Sequence, residues 1–558
     1  MQKLPVGNAV TNTASIMAFG YNPYITSWSP YHGAAYAVVE AASKVVAAGA
    51  RYDRMRYSYQ EYFERMHTET SWGKPLAALL GALRMQIELG LPSIGGKDSM
   101  SGTFQNINVP PMLMAFGITT VDARTVISPE FKAAGHNIYI IRHTPRANHM
   151  PDSEALKRNF DFVSTSIEHG DIVAAYAVGF GGVVEAVSKM SFGNRVGADV
   201  QMEEHKLFDY AYGSIVVEAV GELDYPAAEK IGTTTAAAEV VFNGERFAVD
   251  ELQKVNSRKF CSVYPDRGIE GGTTRASMPE RREVKYEGKP VDEVKVYIPV
   301  FSGTNCDYDT AKAFERAGAH VATSVFCDLT ADDIFASIET MKRMIDGCHI
   351  FVLSGGFSAG DEPDGSGKFI ANVLNNRKIT DAIHALLDRG GLILGICNGF
   401  QALVKSGLLP YGRLGCVGKE SPTLFRNDIN RHVSQIVTTR VATVNSPWLS
   451  SFEVGELHSI AVSHGEGKFV VSDEMAEELF RNGQVAFQYV DPDGNATLRA
   501  PYNPNGSSFG IEGIISRDGH ILGKMGHTER YEDGLFKNIA GNKVQEIFAN
   551  AVNYFKGK

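Results

Sequence analysis

Cysteine is scarce in this 558-residue chain. Its six cysteines (Cys261, Cys306, Cys327, Cys348, Cys397 and Cys416) stand far apart, with no CxxC pair among them. That spacing argues against a structural zinc site and a disulfide framework, and it points to a reducing, cytoplasmic setting. Long apolar runs are missing as well. No stretch of about 18 apolar residues is present, so no membrane span is expected. The N-terminal MQKLPVGNAV lacks the apolar core of a signal peptide. Nor is there positive charge to spare: 54 Lys and Arg face 64 Asp and Glu, a net charge of -10. Non-specific nucleic-acid binding works by neutralising phosphates with Lys and Arg, so this balance argues against it. A phosphorylated small molecule stays open, because a local basic or glycine-rich site can hold one. Internal repeats and low-complexity tracts are absent too.

What is present suits large cores. With 44% hydrophobic and 21% charged residues the composition is globular. The length suggests three or four domains at about 150 residues each. Tyr36–Gly49 (YAVVEAASKVVAAG) has helical apolar spacing and ends on glycine, and Trp72–Leu89 reads as a second helix closed by Gly90. PPMLMAFGITTV (110–121) and HNIYIIRH (136–143) read as strands. GDIVAAYAVGFGGVVEAVSKMSFGN (170–194) reads as strand, glycine-rich turn and helix. Residues 263–293 are charged and glycine-rich, the composition of an interdomain linker. From Val294 the pattern changes: KVYIPVF (295–301), CHIFVLSGG (348–356) and GLILGI (391–396) are apolar runs separated by helical segments. Such alternation implies a parallel sheet covered on both faces, with sites beyond the carboxyl ends of its strands.

One of those runs, GGLILGICNGFQAL (390–403), stops at a cysteine. Cys397 falls between an expected strand and an expected helix, as in a nucleophile elbow, and Gly395 and Gly399 leave room for the turn. The free N–H groups and positive dipole end of the new helix favour a thiolate. They also suit an oxyanion, at about 3 kcal/mol per donor in other enzymes. A buried structural cysteine is the ordinary alternative; the flanking glycines and the strand-to-helix position favour a nucleophile. A cysteine nucleophile needs a base steadied by a third group. In FGIEGIISRDGHILGKMGHTERY (509–531), His527 and Glu529 stand two apart after a strand. On spacing alone His458, His464 and His520 compete.

Together, LSGGFSAGD (353–361), GICNGFQALVKSGLLP (395–410) and GHTER (526–530) resemble the class I, or triad, glutamine amidotransferases. With FSGTNCDYD (301–309), IAVSHGEGKF (460–469) and YNPNGSSFGIEGI (502–514) they resemble more narrowly the glutaminase domain of the phosphoribosylformylglycinamidine synthase family. The resemblance covers roughly 294–558 and implies a doubly wound, flavodoxin-like parallel sheet. It implies that Cys397 attacks the side-chain amide of L-glutamine, with His527 as base and Glu529 orienting it. The backbone of Gly356 and Phe357 and the amide of Asn398 would form the oxyanion hole, with Gln401 beside the substrate. Ser302 departs from the family, where proline is expected, and Cys306 belongs to the family motif as a structural residue.

The first half is less explicit. GGKDSMSG (95–102) offers Lys97, Asp98 and Ser99 for a phosphate or a metal, but it matches no P-loop, and a plain turn is the simpler reading. The family resemblance implies a ferredoxin-like α+β subdomain (1–125) and an α/β subdomain (126–275), the second half of a synthetase core. A linker (276–293) and the glutaminase domain (294–558) follow. The first synthetase half, which the large form of the family carries, is expected to be missing. Formylglycinamide ribonucleotide and ATP would then react chiefly in a site this chain lacks. In the second half the family implies an auxiliary nucleotide with Mg2+. Glu40 fits one metal-ligand position, but Lys44 stands where Asn is expected and Ala177 where Asp is expected. An ammonium repels a cation, so no cofactor is expected here although the full enzyme uses ATP and Mg2+. Two other readings compete: a non-catalytic scaffold, and a different cysteine hydrolase such as a peptidase or γ-glutamyl hydrolase. The GGFSAGD motif and the synthetase-like first half argue against the hydrolase.

Overall fold

The alanine- and valine-rich run near the N-terminus forms the helix Pro30–Ala47, started by the Ser29 side chain, which accepts from the His32 amide. A second helix, Glu69–Leu89, is capped by Thr68 and ends at Gly90, whose φ of 73° is the left-handed conformation glycine adopts without penalty. The computed structural model describes residues 1–7, 9–259, 261–262, 270–277, 279–358 and 366–557. The chain forms two units, Met1–Lys259 and Phe260–Lys558.

In the first unit both helices lie beside a five-stranded sheet, in spatial order Gln2–Lys3, Thr13–Gly20, Met112–Asp122, Arg56–Tyr62 and Ser93–Lys97. All its pairs are antiparallel except the last. The helices pass so closely that a Cβ on Gly81 would lie 2.0 Å from the Tyr31 carbonyl oxygen. A seven-stranded mixed sheet follows. It contains Asn137–Ile141 in its interior and Ile172–Ala177 at its edge, with the helices Ser153–His169 and Gly182–Phe192. Val38, Tyr57 and Met85 share one core with Phe160 and Ile215, so the two sheets of this unit bury apolar surface together. The opposite face of Glu69–Leu89 is apolar too, and Trp72, Leu76, Leu83 and Ile87 stand exposed along it.

The second unit is built on a nine-stranded sheet. Five parallel strands come first in space: His320–Val325, Lys295–Val300, Ile350–Leu353, Leu392–Ile396 and Ile521–Lys524. Helices such as Ala331–Gly347 and Asn398–Ser406 connect them, and strands covered on both faces explain the uninterrupted runs IFVL and LILGI. The sheet then continues in antiparallel fashion through Ile511–Ile515, Val485–Tyr489, Val433–Val441 and Leu457–His464. Residues 270–277 and 279–293, read from sequence as linker, lie against this unit: Thr273 bridges Thr497, and Tyr286 packs on Tyr554 and Phe555. Residues 263–269 lie outside the described residues. Among the described residues no helix is long and apolar enough to cross a membrane.

Candidate active site

Cys397 joins the strand Leu392–Ile396 to the helix Asn398–Ser406 with φ 53° and ψ -106°. A positive φ outside glycine costs about 1–3 kcal/mol and persists only where the surroundings enforce it. They do so here. The Cys397 N–H donates to the Lys524 carbonyl at 2.9 Å, and its carbonyl accepts from the Gln401 N–H at 3.0 Å. A Cβ on Gly399 would lie 1.9 Å from the Leu353 carbonyl oxygen, and one on Gly395 would lie 2.7 Å from that of Gly399. Only glycine lets the helix start this close to the sheet. The turn presents the thiol to a cavity of about 250 Å³, lined also by Gly356, Phe357, Gln401, His464 and His527.

His527 follows Ile521–Lys524, the strand paired in parallel with Leu392–Ile396, so neighbouring strand ends carry both side chains. Its Nδ1 donates to Glu529 Oε1 at 2.6 Å, and both residues are buried. Among the described residues the buried Nε2 has no ordinary hydrogen-bond partner, while the Cys397 thiol is near enough to affect the basicity of the ring. Burial pushes the imidazole down. The Glu529 carboxylate, with the Cys306 and Cys397 thiols, outweighs burial and holds His527 well above the ordinary value. Burial pushes Glu529 up, and the facing imidazolium more than reverses this. Each partner thus favours the charged form of the other. His464 lines the same cavity, but burial, then the nearby His527, pushes it down to about 3. His458 and His520 do not line the cavity.

Beside the thiol, Gly356 N–H donates to no described residue, whereas Phe357 N–H is committed to the Gly303 carbonyl at 2.8 Å. Asn398 Nδ2 donates to Gln401 Oε1 at 2.9 Å, and Gln401 Nε2 donates to the Glu466 carbonyl at 2.5 Å, which fixes the segment holding Ser463 and His464 along the cavity. The last three residues of the GGFSAGD motif, 359–361, lie outside the described residues. Cys306 is closer to this chemistry than its sequence suggests: its Sγ is 3.9 Å from His527 Nδ1 and accepts from Arg530 Nη2 at 3.0 Å. Its place inside the FSGTNCDYD motif was the available signal. A Cβ on Gly355 would reach His527 Cε1 at 2.9 Å, Cys306 Sγ at 3.2 Å and Cys397 Cβ at 3.5 Å, so all three groups converge on that glycine.

None of the first-unit candidates is among the lining residues of this cavity. Lys97 ends the edge strand of the five-stranded sheet and Asp98 and Ser99 follow it, and the Lys97 ammonium folds back onto Ser99 Oγ at 2.6 Å and the Asp98 carbonyl at 3.2 Å. Glu40 is buried in Pro30–Ala47 with Lys44 Nζ 2.8 Å from its Oε1. Ala177 ends its strand without a donor atom. An ammonium against the candidate carboxylate Glu40, and alanine at the other expected ligand position, do not fit a magnesium site.

A family model described as the CobB/CobQ-like glutamine amidotransferase domain matches residues 293–555, nearly the whole of the second unit. The class is thus glutamine amidotransferase. Among its relatives is phosphoribosylformylglycinamidine synthase subunit PurQ of Gloeobacter violaceus, 33% identical over 253 residues, covering 45% of this chain and 96% of the relative. The chain belongs to that family, the PurQ glutamine amidotransferases of purine biosynthesis. Among solved structures, PurLQS from Thermotoga maritima is 27% identical, covering 47% of this chain and 99% of that one, with a TM-score of 0.34. PurL of the same organism complexed with ATP is 17% identical, covering 52% of each chain, with a TM-score of 0.37. These structural likenesses are too shallow to add to the sequence relatives.

Proposed function

We propose that the second unit hydrolyses L-glutamine through a thioester on Cys397. The ammonia would supply the ATP-dependent conversion of formylglycinamide ribonucleotide to formylglycinamidine ribonucleotide. Cys397 Sγ attacks the side-chain carbonyl carbon of glutamine while His527 Nε2 carries the thiol proton. The tetrahedral oxyanion lies against Gly356 N–H and the start of Asn398–Ser406, where the positive end of the helix dipole favours negative charge. His527 passes its proton to the leaving nitrogen, the carbon–nitrogen bond breaks, and ammonia departs. Water, deprotonated by His527, then attacks the thioester, and glutamate leaves with the thiol restored. Glu529 holds the imidazole with Nδ1 protonated, so that Nε2 is the nitrogen that exchanges protons.

In the coupled reaction ATP phosphorylates the formyl oxygen and ammonia displaces the phosphate, giving ADP and phosphate. We assign no residue of this chain to that step. Glutamine, the ribonucleotide and ATP are the substrates in this reading, and a synthetase site that receives ammonia is its partner.

The observation that carries the proposal is the enforced positive φ of Cys397 opposite a carboxylate-held imidazole in one cavity. The deciding assay measures glutamate release from glutamine by the wild type and by Cys397→Ala. Loss of activity in the variant is expected, with a glutamine-derived electrophile such as diazo-oxo-norleucine labelling Cys397 in the wild type. Equal rates from both proteins would end the assignment.

A further inference from the structure

Two glutamates of the first unit each have a lysine of their own helix against them. Glu40 is only 8% exposed. Its Oε2 accepts the Tyr21 N–H at 2.9 Å, and its Oε1 faces Lys44 Nζ at 2.8 Å, one helical turn on. The Lys44 ammonium also donates to the Phe19 carbonyl at 2.9 Å and lies 4.5 Å from the centre of the Phe19 ring. It is therefore bound by a carboxylate, a carbonyl and an aromatic face, all groups that attract a positive charge. The helix Gly182–Phe192 repeats the arrangement. Glu185 Oε2 accepts the Gly181 N–H at 2.8 Å, and its Oε1 pairs with Lys189 Nζ at 2.5 Å, again one turn on. Glu185 is close enough to Glu40 to act on its charge, and the phenols of Tyr176 and Tyr212 feel both carboxylates.

A buried carboxylate such as Glu40, with the charge of a second one felt nearby, is a setting in which a divalent cation could be held. Here each already has a lysine at the i+4 position of its own helix. A divalent ion would have to displace an ammonium held by three groups, or lie beside it at a strong electrostatic cost. We propose that Lys44, seconded by Lys189, is a built-in counter-ion that takes the place a divalent cation would otherwise have against Glu40, which makes the first unit independent of metal.

Hydrogen-exchange mass spectrometry on the full chain tests this at the helix Pro30–Ala47. In the wild type, protection of that helix should be the same in Mg2+ and in EDTA. In Lys44→Ala in EDTA its amides should exchange about tenfold faster, since a buried carboxylate has lost its partner. Mg2+ or Mn2+ should then slow them again, because the Glu40 carboxylate is free to hold the ion. Lys44→Arg, which keeps the charge, should resemble the wild type. The proposal is overturned if Mg2+ protects the wild-type helix and Glu40→Gln removes that protection. This comparison stands even if Lys44→Ala fails to fold. Unchanged exchange in Lys44→Ala would also overturn it. So would faster exchange without metal rescue, which would reduce Lys44 to an ordinary ion pair.

Discussion

At the scale of single residues, the cavity contains two histidines with opposite electrostatics. His527 is held above its unfolded value of 6.5, chiefly by Glu529 against the pull of burial. The stability it contributes is fully present below pH 6.5 and is lost as pH rises through its folded value. Glu529 is held below its unfolded value of 4.5, so its contribution is present above pH 4.5 and is lost as pH falls through its folded value. His464 behaves the other way. With a folded value of about 3 against 6.5 unfolded, it favours folding above pH 6.5 and loses that benefit as pH falls toward 3. A shift of this size corresponds to about 5 kcal/mol at full extent. Melting temperature followed from pH 7 to pH 4 should therefore start to fall near 6.5, and His464→Asn should flatten that limb. An unchanged limb would show that another group sets it. The catalytic counterpart is sharper. Cys397→Ser keeps the shape of the elbow but not the thiol, and steady-state glutamine hydrolysis should fall by roughly a thousandfold or more.

At the scale of elements, the strand–turn–helix around Cys397 is a backbone device, and its glycines are as necessary as the thiol. Gly399→Ala would place a Cβ 1.9 Å from a main-chain oxygen that cannot move without shifting the strand Ile350–Leu353. Destabilisation by roughly 3 kcal/mol or more is expected, read as a lower denaturation midpoint. Gly355→Ala is a gentler intrusion, toward the His527 ring, and it should lower glutamine hydrolysis more than it lowers stability. This elbow was legible in the sequence because both of its causes are local: an apolar run and a glycine on either side of cysteine. The parallel strands were legible for the same reason, since strands buried on both faces carry no polar alternation. The choice of His527 was not legible from spacing, because four histidines competed, and it came from the family motif. Cys306 lies 221 residues from His527 in the chain, and no local pattern reports their approach. The antiparallel continuation of the sheet was also missed, because periodicity marks a strand without stating the direction of its partner.

At the scale of the whole molecule, each unit has its own core, and the segment before Val294 works as part of the second one. Its contacts are made to buried amides, so they carry energy. Gln488 Oε1 accepts the Ser277 N–H at 3.0 Å, and its Nε2 donates to the Arg275 carbonyl at 2.8 Å. Asn445 Oδ1 accepts the Arg282 N–H at 2.6 Å, and its Nδ2 donates to the Glu280 carbonyl at 2.9 Å. Both amides are almost fully enclosed. A charged, glycine-rich composition reads as linker because it has few apolar residues, yet backbone groups alone can satisfy buried amides without any apolar signature. Removing the segment would leave two amide side chains with missing partners, each at a cost of about 1–3 kcal/mol. It would also uncover the aromatic faces of Tyr554 and Phe555 that Tyr286 covers. A fragment starting at Glu270 should therefore melt about 5 to 10 °C above one starting at Val294. Calorimetry on the two fragments side by side decides the matter, and coincident transitions would return residues 270–293 to the status of a linker.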